Sequence, residues 1–395
     1  MMQANSFISN FKTHKKSIKT AVSIVVFLIL FIFVHKLLCF LLIDDTESYT
    51  RITLHELYNQ EENIDVLFLG SSHCFLSLNT DITDTLFDAN TFNAGSASQF
   101  FDGSYALLVE AGKNNNLQRV YVEIYCGVIG YKYKGRTEMT STYIISDYMR
   151  PSINKFLYLL NSADTDYWIH GFLPETRVNK NTILDFQYIL SLFREKTSES
   201  YRNYNYVGNP ETDASYYAGK GYVANTNEVI NGNFSNVGHY GSLTATFSPD
   251  DIQYIDNIIT YCQKHNIELI FFSAPMPDFR LADMGNYDSY ISYITEFFSE
   301  YNIPYYDFNL CREEYFSYNS NLFMDDHHLN KSGAELFSTI FSDFFNGRIA
   351  EEDLFYSSYE EKMNSLDNLF YGLIYNIENT ENTKIYTFPV SGKNQ

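Results

Sequence analysis

The stretch Ile64-Asp65-Val66-Leu67-Phe68-Leu69-Gly70-Ser71-Ser72-His73 decides the fold. A short apolar run that stops at a glycine reads as a strand buried on both faces, followed by a tight turn into a helix. Outward from it, Thr80–Phe87 reads as a short helix and residues 90–93 as a second strand, with Gly95 just beyond. Residues 104–115 carry helical spacing at Tyr105, Leu108, Val109 and Gly112, and residues 119–125 (RVYVEIY) read as a third strand. The rhythm resumes at Ser248, an N-cap with Pro249 at the first helical position, and Ile255, Ile258, Ile259 and Cys262 form one face. A fourth strand over 267–273, a helix over 287–301, a fifth strand over 304–308 and a helix over Lys331–Phe345 complete the series. This alternation predicts an α/β fold, a three-layer doubly wound sheet of five mostly parallel strands.

The chain's 395 residues suffice for one large domain or two small ones, and an apolar share of 45% excludes disorder over most of it. Up to Ile43 there are five lysines and no acid, which leaves 22 basic against 48 acidic residues beyond, a net charge of −26. So acidic a body repels phosphate backbones and argues against nucleic acid as a partner. The five cysteines at 39, 74, 126, 262 and 311 lack CxxC or CxxH spacing, so they read as small core residues rather than a disulfide framework or zinc site.

Residues 21–43 (AVSIVVFLILFIFVHKLLCFLLI) are apolar except at His35 and Lys36 and can cross roughly 30 Å of hydrocarbon. Lys12, Lys15, Lys16 and Lys19 precede the run and Asp44, Asp45 and Glu47 follow it, which keeps the N-terminus inside and exports the rest. The resulting organisation is a cytoplasmic tail over 1–20, a transmembrane anchor over 21–43, a domain over 44–348 and a C-terminal extension over 349–395. A cleaved signal peptide is the alternative, although no small-x-small site follows the run. An insertion over 127–247, rich in Tyr and Asn, interrupts the domain. It looks helical over 153–160 and 182–193 and loop-like over 201–241, and it is expected to wall the edge where the loops gather. In the extension, 351–370 looks helical and 384–388 strand-like.

In a doubly wound sheet the site lies beyond the carboxyl ends of the strands. Three loops fall there. Gly70-Ser71-Ser72-His73 can expose a hydroxyl and a backbone amide into one space, though it also suits a plain turn. In Asn93-Ala94-Gly95-Ser96 the glycine lets an amide approach a ligand oxygen. In Asp325-Asp326-His327-His328-Leu329-Asn330, an Asp and a His three residues apart can meet on one turn, so that Asp325 fixes the His328 tautomer.

These blocks, in this order, resemble the SGNH or GDSL-type hydrolases. The resemblance puts the nucleophile at Ser72, oxyanion donors at Ser72 and Gly95, and the remaining catalytic pair at Asp325 and His328, with no cofactor and no metal. The sequence departs from the family at Ser71, where an Asp is usual, and after the third strand, where Tyr125-Cys126-Gly127-Val128-Ile129-Gly130 replaces the block bearing the oxyanion Asn. The GSS start and the anchor look more like the membrane-tethered branch with DltD-like and polysaccharide O-acetylation-associated proteins. That implies an extracytoplasmic serine esterase or O-acyltransferase acting on a cell-envelope glycan or teichoic acid, with a membrane-bound O-acyltransferase as a candidate partner. Two other readings stay open. One is a catalytically inactive scaffold, suggested by the absent third block; the other is a metallohydrolase using Asp325, Asp326, His327, His328 and His73.

Overall fold

The computed structural model describes residues 2–134, 139–205, 208–228, 246–318 and 320–365. Its strands are β1 (Val66–Leu69), β2 (Thr91–Asn93), β3 (Arg119–Glu123), β4 (Ser215–Gly219), β5 (Tyr222–Asn225), β6 (Glu268–Ser273) and β7 (Tyr305–Asp307). Five of them form a wholly parallel sheet in the order β2-β1-β3-β6-β7. Counted within that sheet the order is 2-1-3-4-5, the doubly wound arrangement expected from the sequence.

Side-chain parity explains why the strands read as continuous apolar runs. Leu67, Leu69, Val120, Val122 and Phe271 share a core with helices Phe101–Ala111, Pro249–His265 and Tyr287–Glu300. Val66, Phe68, Tyr121, Ile270 and Phe272 face the other way, into a core closed by Lys331–Phe345. The helix Pro249–His265 starts at a full capping box between Ser248 and Asp251 and stops at Asn266 in the left-handed conformation.

The chain divides into two compact units, one of Met1–Thr46 with Ile169–Tyr206, the other of Glu47–Trp168 with Val207–Gln395. The 127–247 insertion is therefore not one block. Within the second unit, helix Ile153–Ser162 packs on Phe101–Ala111. Residues 201–241, expected as loop, contain the antiparallel hairpin β4–β5. The glycines taken for loop are its turn: Gly219, Lys220 and Gly221 all have positive φ. At Gly221 a Cβ would lie 1.6 Å from the Asn93 carbonyl oxygen, and the Lys220 carbonyl accepts from the Asn93 amide at 2.9 Å, so the hairpin tip abuts the end of β2. The helix expected over 351–370 is broken into Glu351–Leu354 and Tyr359–Ser365; its remainder and the strand-like 384–388 lie outside the described residues. The second piece sends Lys362, fully buried, to Asp278 at 2.6 Å and to the Asn309 carbonyl at 2.8 Å.

In the first unit, the helix Met2–Leu42 contains a candidate membrane span, Ile18–Leu42. Helix Phe186–Lys196 and the turn Pro174–Arg177 lie against its last turns. Lys196, buried, pairs with Asp45 at 2.6 Å and donates to the Ile43 carbonyl; Tyr201 also donates to Asp45 at 2.9 Å.

Candidate active site

β1 ends at Gly70, whose φ of +153° and crowding admit no side chain: a Cβ would lie 2.6 Å from both Cβ and Oε2 of Glu123. Ser71 follows as an N-cap, its Oγ accepting from the His73 amide at 3.2 Å. The Ser71 amide and hydroxyl both donate to Glu123 Oε2, each at 2.8 Å. Ser72 opens the short helix Ser72–Phe75. As the first helical residue it has no intrahelical acceptor for its amide, and that amide donates to no atom among the described residues.

The last loop meets this turn. Ser72 Oγ lies 2.7 Å from His328 Nε2, and His328 Nδ1 lies 2.8 Å from Asp325 Oδ2. Asp325 Oδ1 accepts the amides of His328 at 2.7 Å and His327 at 2.9 Å, so the carboxylate fixes backbone and imidazole together. The three residues thus form one hydrogen-bonded chain in the second unit. His327 points elsewhere, its Nδ1 at 2.6 Å from Asp326 Oδ1. Burial holds the His328 pKa below the ordinary histidine value, with the Asp325 bond working against that and the His327 ring reinforcing it. Burial alone would raise the Asp325 carboxyl, but the bond to His328 and the two imidazoles hold it well below the carboxylate range.

Gly95 lies against the Ser72 turn: a Cβ there would be 3.2 Å from the Gly70 carbonyl oxygen and 3.2 Å from the Phe75 nitrogen. Its amide donates to Asn93 Oδ1 at 3.1 Å, so this amide is already engaged. The Asn93 Nδ2 in turn donates to the Cys74 carbonyl at 3.0 Å, clamping the helix that starts at Ser72. Where the resemblance calls for an oxyanion Asn, Tyr125 instead stacks on His73 with ring centroids 4.0 Å apart.

Four further side chains support this site: Glu123 and Arg280, which sequence reading did not single out, and His73 and Tyr125, which it named without the contacts they make here. Glu123, fully buried, has its pKa pushed up to about 7 by desolvation, against the two Ser71 bonds. His73, also fully buried, stacks 4.7 Å from His328; burial first, then its two histidine neighbours, keeps it neutral. Arg280, 1% exposed, pairs with the Asp326 carboxylate and reaches its carbonyl at 3.4 Å, pinning the last loop from the helix Asp278–Met284. Tyr125 is the fourth. Of the two that sequence reading missed, Glu123, an acid at the end of an apolar strand, left a signal in the sequence and Arg280 did not.

Among the described residues, His73, His327 and His328 bring candidate metal-ligand nitrogens within 4.8 Å of one another, and so do ligand atoms of Asp325, Asp326 and His327. Both nitrogens of His328 already have partners in Ser72 and Asp325, and the His73, His327 and His328 rings are tilted 31° to 40° from one another.

Fold and geometry define a doubly wound α/β protein with a Ser-His-Asp constellation at the carboxyl edge of its parallel sheet. No family model matches the sequence, and no curated protein is detectably similar to it. Solved structures similar to the chain include a lipolytic protein of the G-D-S-L family from Desulfitobacterium hafniense DCB-2, at 11% identity over 71% of this chain and 98% of that one, with a TM-score of 0.32. An acylhydrolase from Bacteroides fragilis NCTC 9343 is 9% identical over 75% of this chain and 94% of that one, TM-score 0.32. The M. smegmatis aryl esterase is 9% identical over 72% of this chain and all (100%) of that one, TM-score 0.29. Overlaps this loose carry nothing about chemistry, which is read from the distances within the site.

Proposed function

We propose that this chain is a membrane-anchored serine esterase or O-acyltransferase of the SGNH type. The observation that carries the reading is the unbroken relay Ser72 Oγ, His328 Nε2, His328 Nδ1, Asp325 Oδ2 at 2.7 and 2.8 Å. His328 takes the hydroxyl proton as Ser72 Oγ attacks an acyl ester carbonyl, and Asp325 stabilises the imidazolium. The Ser72 amide donates to the developing oxyanion, and Gly95 adds a second donor once its amide is shared between Asn93 and the substrate. Collapse expels the alcohol, which takes the proton from His328, and leaves an acyl-serine. Water then releases the acid, or a carbohydrate or polyol hydroxyl carries the acyl group away.

The acyl-acceptor reading rests on the N-terminal span, whose lysine flank favours an exported domain, and hence a cell-envelope glycan or teichoic acid as substrate. A membrane-bound O-acyltransferase would be the natural donor partner. Labelling with a fluorophosphonate tests the mechanism: the wild type should be labelled and Ser72→Ala should not. An inactive scaffold would resist labelling although folded, and a metal-dependent enzyme would lose ester hydrolysis to a chelator.

A further inference from the structure

The end of the apolar helix and the segment packed on it carry a surface that the triad does not explain. From Ile18 to Leu37 the helix is exposed at every position but His35, which is half-buried. At 1.5 Å per residue that is about 30 Å of bare apolar helix, the thickness of a bilayer's hydrocarbon. The following residues, up to Ile43, are half-buried. What covers them is the turn Pro174–Arg177 and the helix Phe186–Lys196 of the same unit. Polar contacts collect at this level: His35 with Glu175 at 3.0 Å, Tyr188 with Asp44 at 2.6 Å, Lys196 with Asp45 at 2.6 Å.

The covering segment is apolar on its outside as well. Ile169, Phe172, Ile183 and Phe193 are exposed, Leu184 is 82% exposed and Phe186 70%. Phe193 also meets Phe40 of the long helix edge to face at 6.0 Å, so this apolar surface continues directly from the span. Its charge sets it apart too. Residues 169–206 hold five basic and four acidic side chains, in a chain whose body carries −26 beyond Ile43. A near-neutral apolar shelf can approach lipid headgroups, which strongly acidic surface cannot.

We propose that residues 169–193 form an interfacial shelf, with Leu184, Phe186 and their neighbours seated in the headgroup and acyl boundary of the bilayer beside the point where the anchor emerges. The proposal rests on the anchor reading and adds a second lipid contact to it. Its occupant is lipid, because the bare length of the helix places the bilayer boundary at the shelf itself. Such a contact restricts rotation of the unit about the single span, as a lone helix does not.

The test uses full-length protein in vesicles of phosphatidylcholine and phosphatidylglycerol, in a Trp168→Phe background that removes the chain's single tryptophan. Leu184→Trp and Phe186→Trp are read separately, with Leu30→Trp as the control for the span. All three sites are exposed, so the substitutions leave packing intact. The shelf predicts that tryptophan at 184 and 186 is blue-shifted, shielded from iodide, and quenched more by nitroxides near the glycerol backbone than by nitroxides near the chain end. Leu30→Trp should show the reverse depth preference. Iodide access at 184 and 186 with deep quenching at Leu30→Trp overturns the shelf while leaving the anchor, and assigns the apolar surface to a protein partner. Iodide access at Leu30→Trp overturns the anchor reading and the shelf with it.

Discussion

Glu123 Oε2 accepts both the amide and the hydroxyl of Ser71 at 2.8 Å, one residue before the serine that meets His328. A carboxyl from the end of β3 thus holds the residue that precedes Ser72 by both its backbone and its side chain. Gly70 makes room for it.

This buried pair predicts a pH-dependent stability. The Glu123 pKa is raised from 4.5 to about 7, so the folded state holds its proton more tightly than the unfolded chain does. Its contribution is present in full below about pH 4.5 and is lost as pH rises through about 7. Denaturant titrations should show wild-type stability falling across that window by about 3 kcal/mol relative to Glu123→Gln, the difference between the two profiles isolating this carboxyl from the other buried acids. Glu123→Ala, which strands the Ser71 donors, should cost about 1–3 kcal/mol for each group left unpaired. Parallel profiles for the wild type and Glu123→Gln would contradict the assignment.

Arg280 predicts a stability effect at a distance from the serine. Arg280→Met removes the buried guanidinium and leaves Asp326 with His327 but without its cation, which should cost about 3 kcal/mol, the low end for a broken buried pair, and loosen the loop bearing Asp325 and His328. Thermal melts and turnover of a small acyl ester should fall together. A melt unchanged from wild type would show that Arg280 does not hold the loop.

The base should titrate below an ordinary histidine. Burial lowers the His328 pKa and the Asp325 bond opposes it, so kcat/KM should climb with pH to half its plateau below 6.5. Asp325→Asn withdraws the opposing bond and should move that limb further toward acid while lowering the plateau. An acid limb above 6.5 would mean that the Asp325 carboxylate outweighs burial at His328.

Much of this was readable in the chain because its strands are covered on both faces: their centres, 66–69, 120–122 and 269–272, are apolar at either parity, and helices with clear stripes separate them. The contact between Ser72 and His328 was readable because it needs only two loops at the same sheet edge. The hairpin at 215–225 was not, since Gly219 and Gly221 look like loop until the tip is seen against Asn93. The Glu123 bonds and the Arg280 pin join residues 52 and 46 positions apart in sequence, so no local pattern announces the pairing. Lys362, which joins the extension to Asp278, is likewise a long-range pairing.

The proposed topology, with the lysine flank inside, makes its own prediction. Protease added outside intact cells should degrade the chain beyond Asp45 and spare a small N-terminal fragment. A soluble product released into the medium would support signal cleavage instead.

The most direct test of the account is covalent labelling at Ser72 followed by peptide mass spectrometry. A fluorophosphonate should modify the peptide containing Ser72 stoichiometrically. Ser72→Ala and His328→Ala should lose labelling and about 10^6-fold in acyl transfer, Asp325→Asn only about 10^4-fold, and Ser71→Ala and His327→Ala far less. Full acyl transfer by a folded Ser72→Ala variant, or labelling at another serine, would contradict the mechanism.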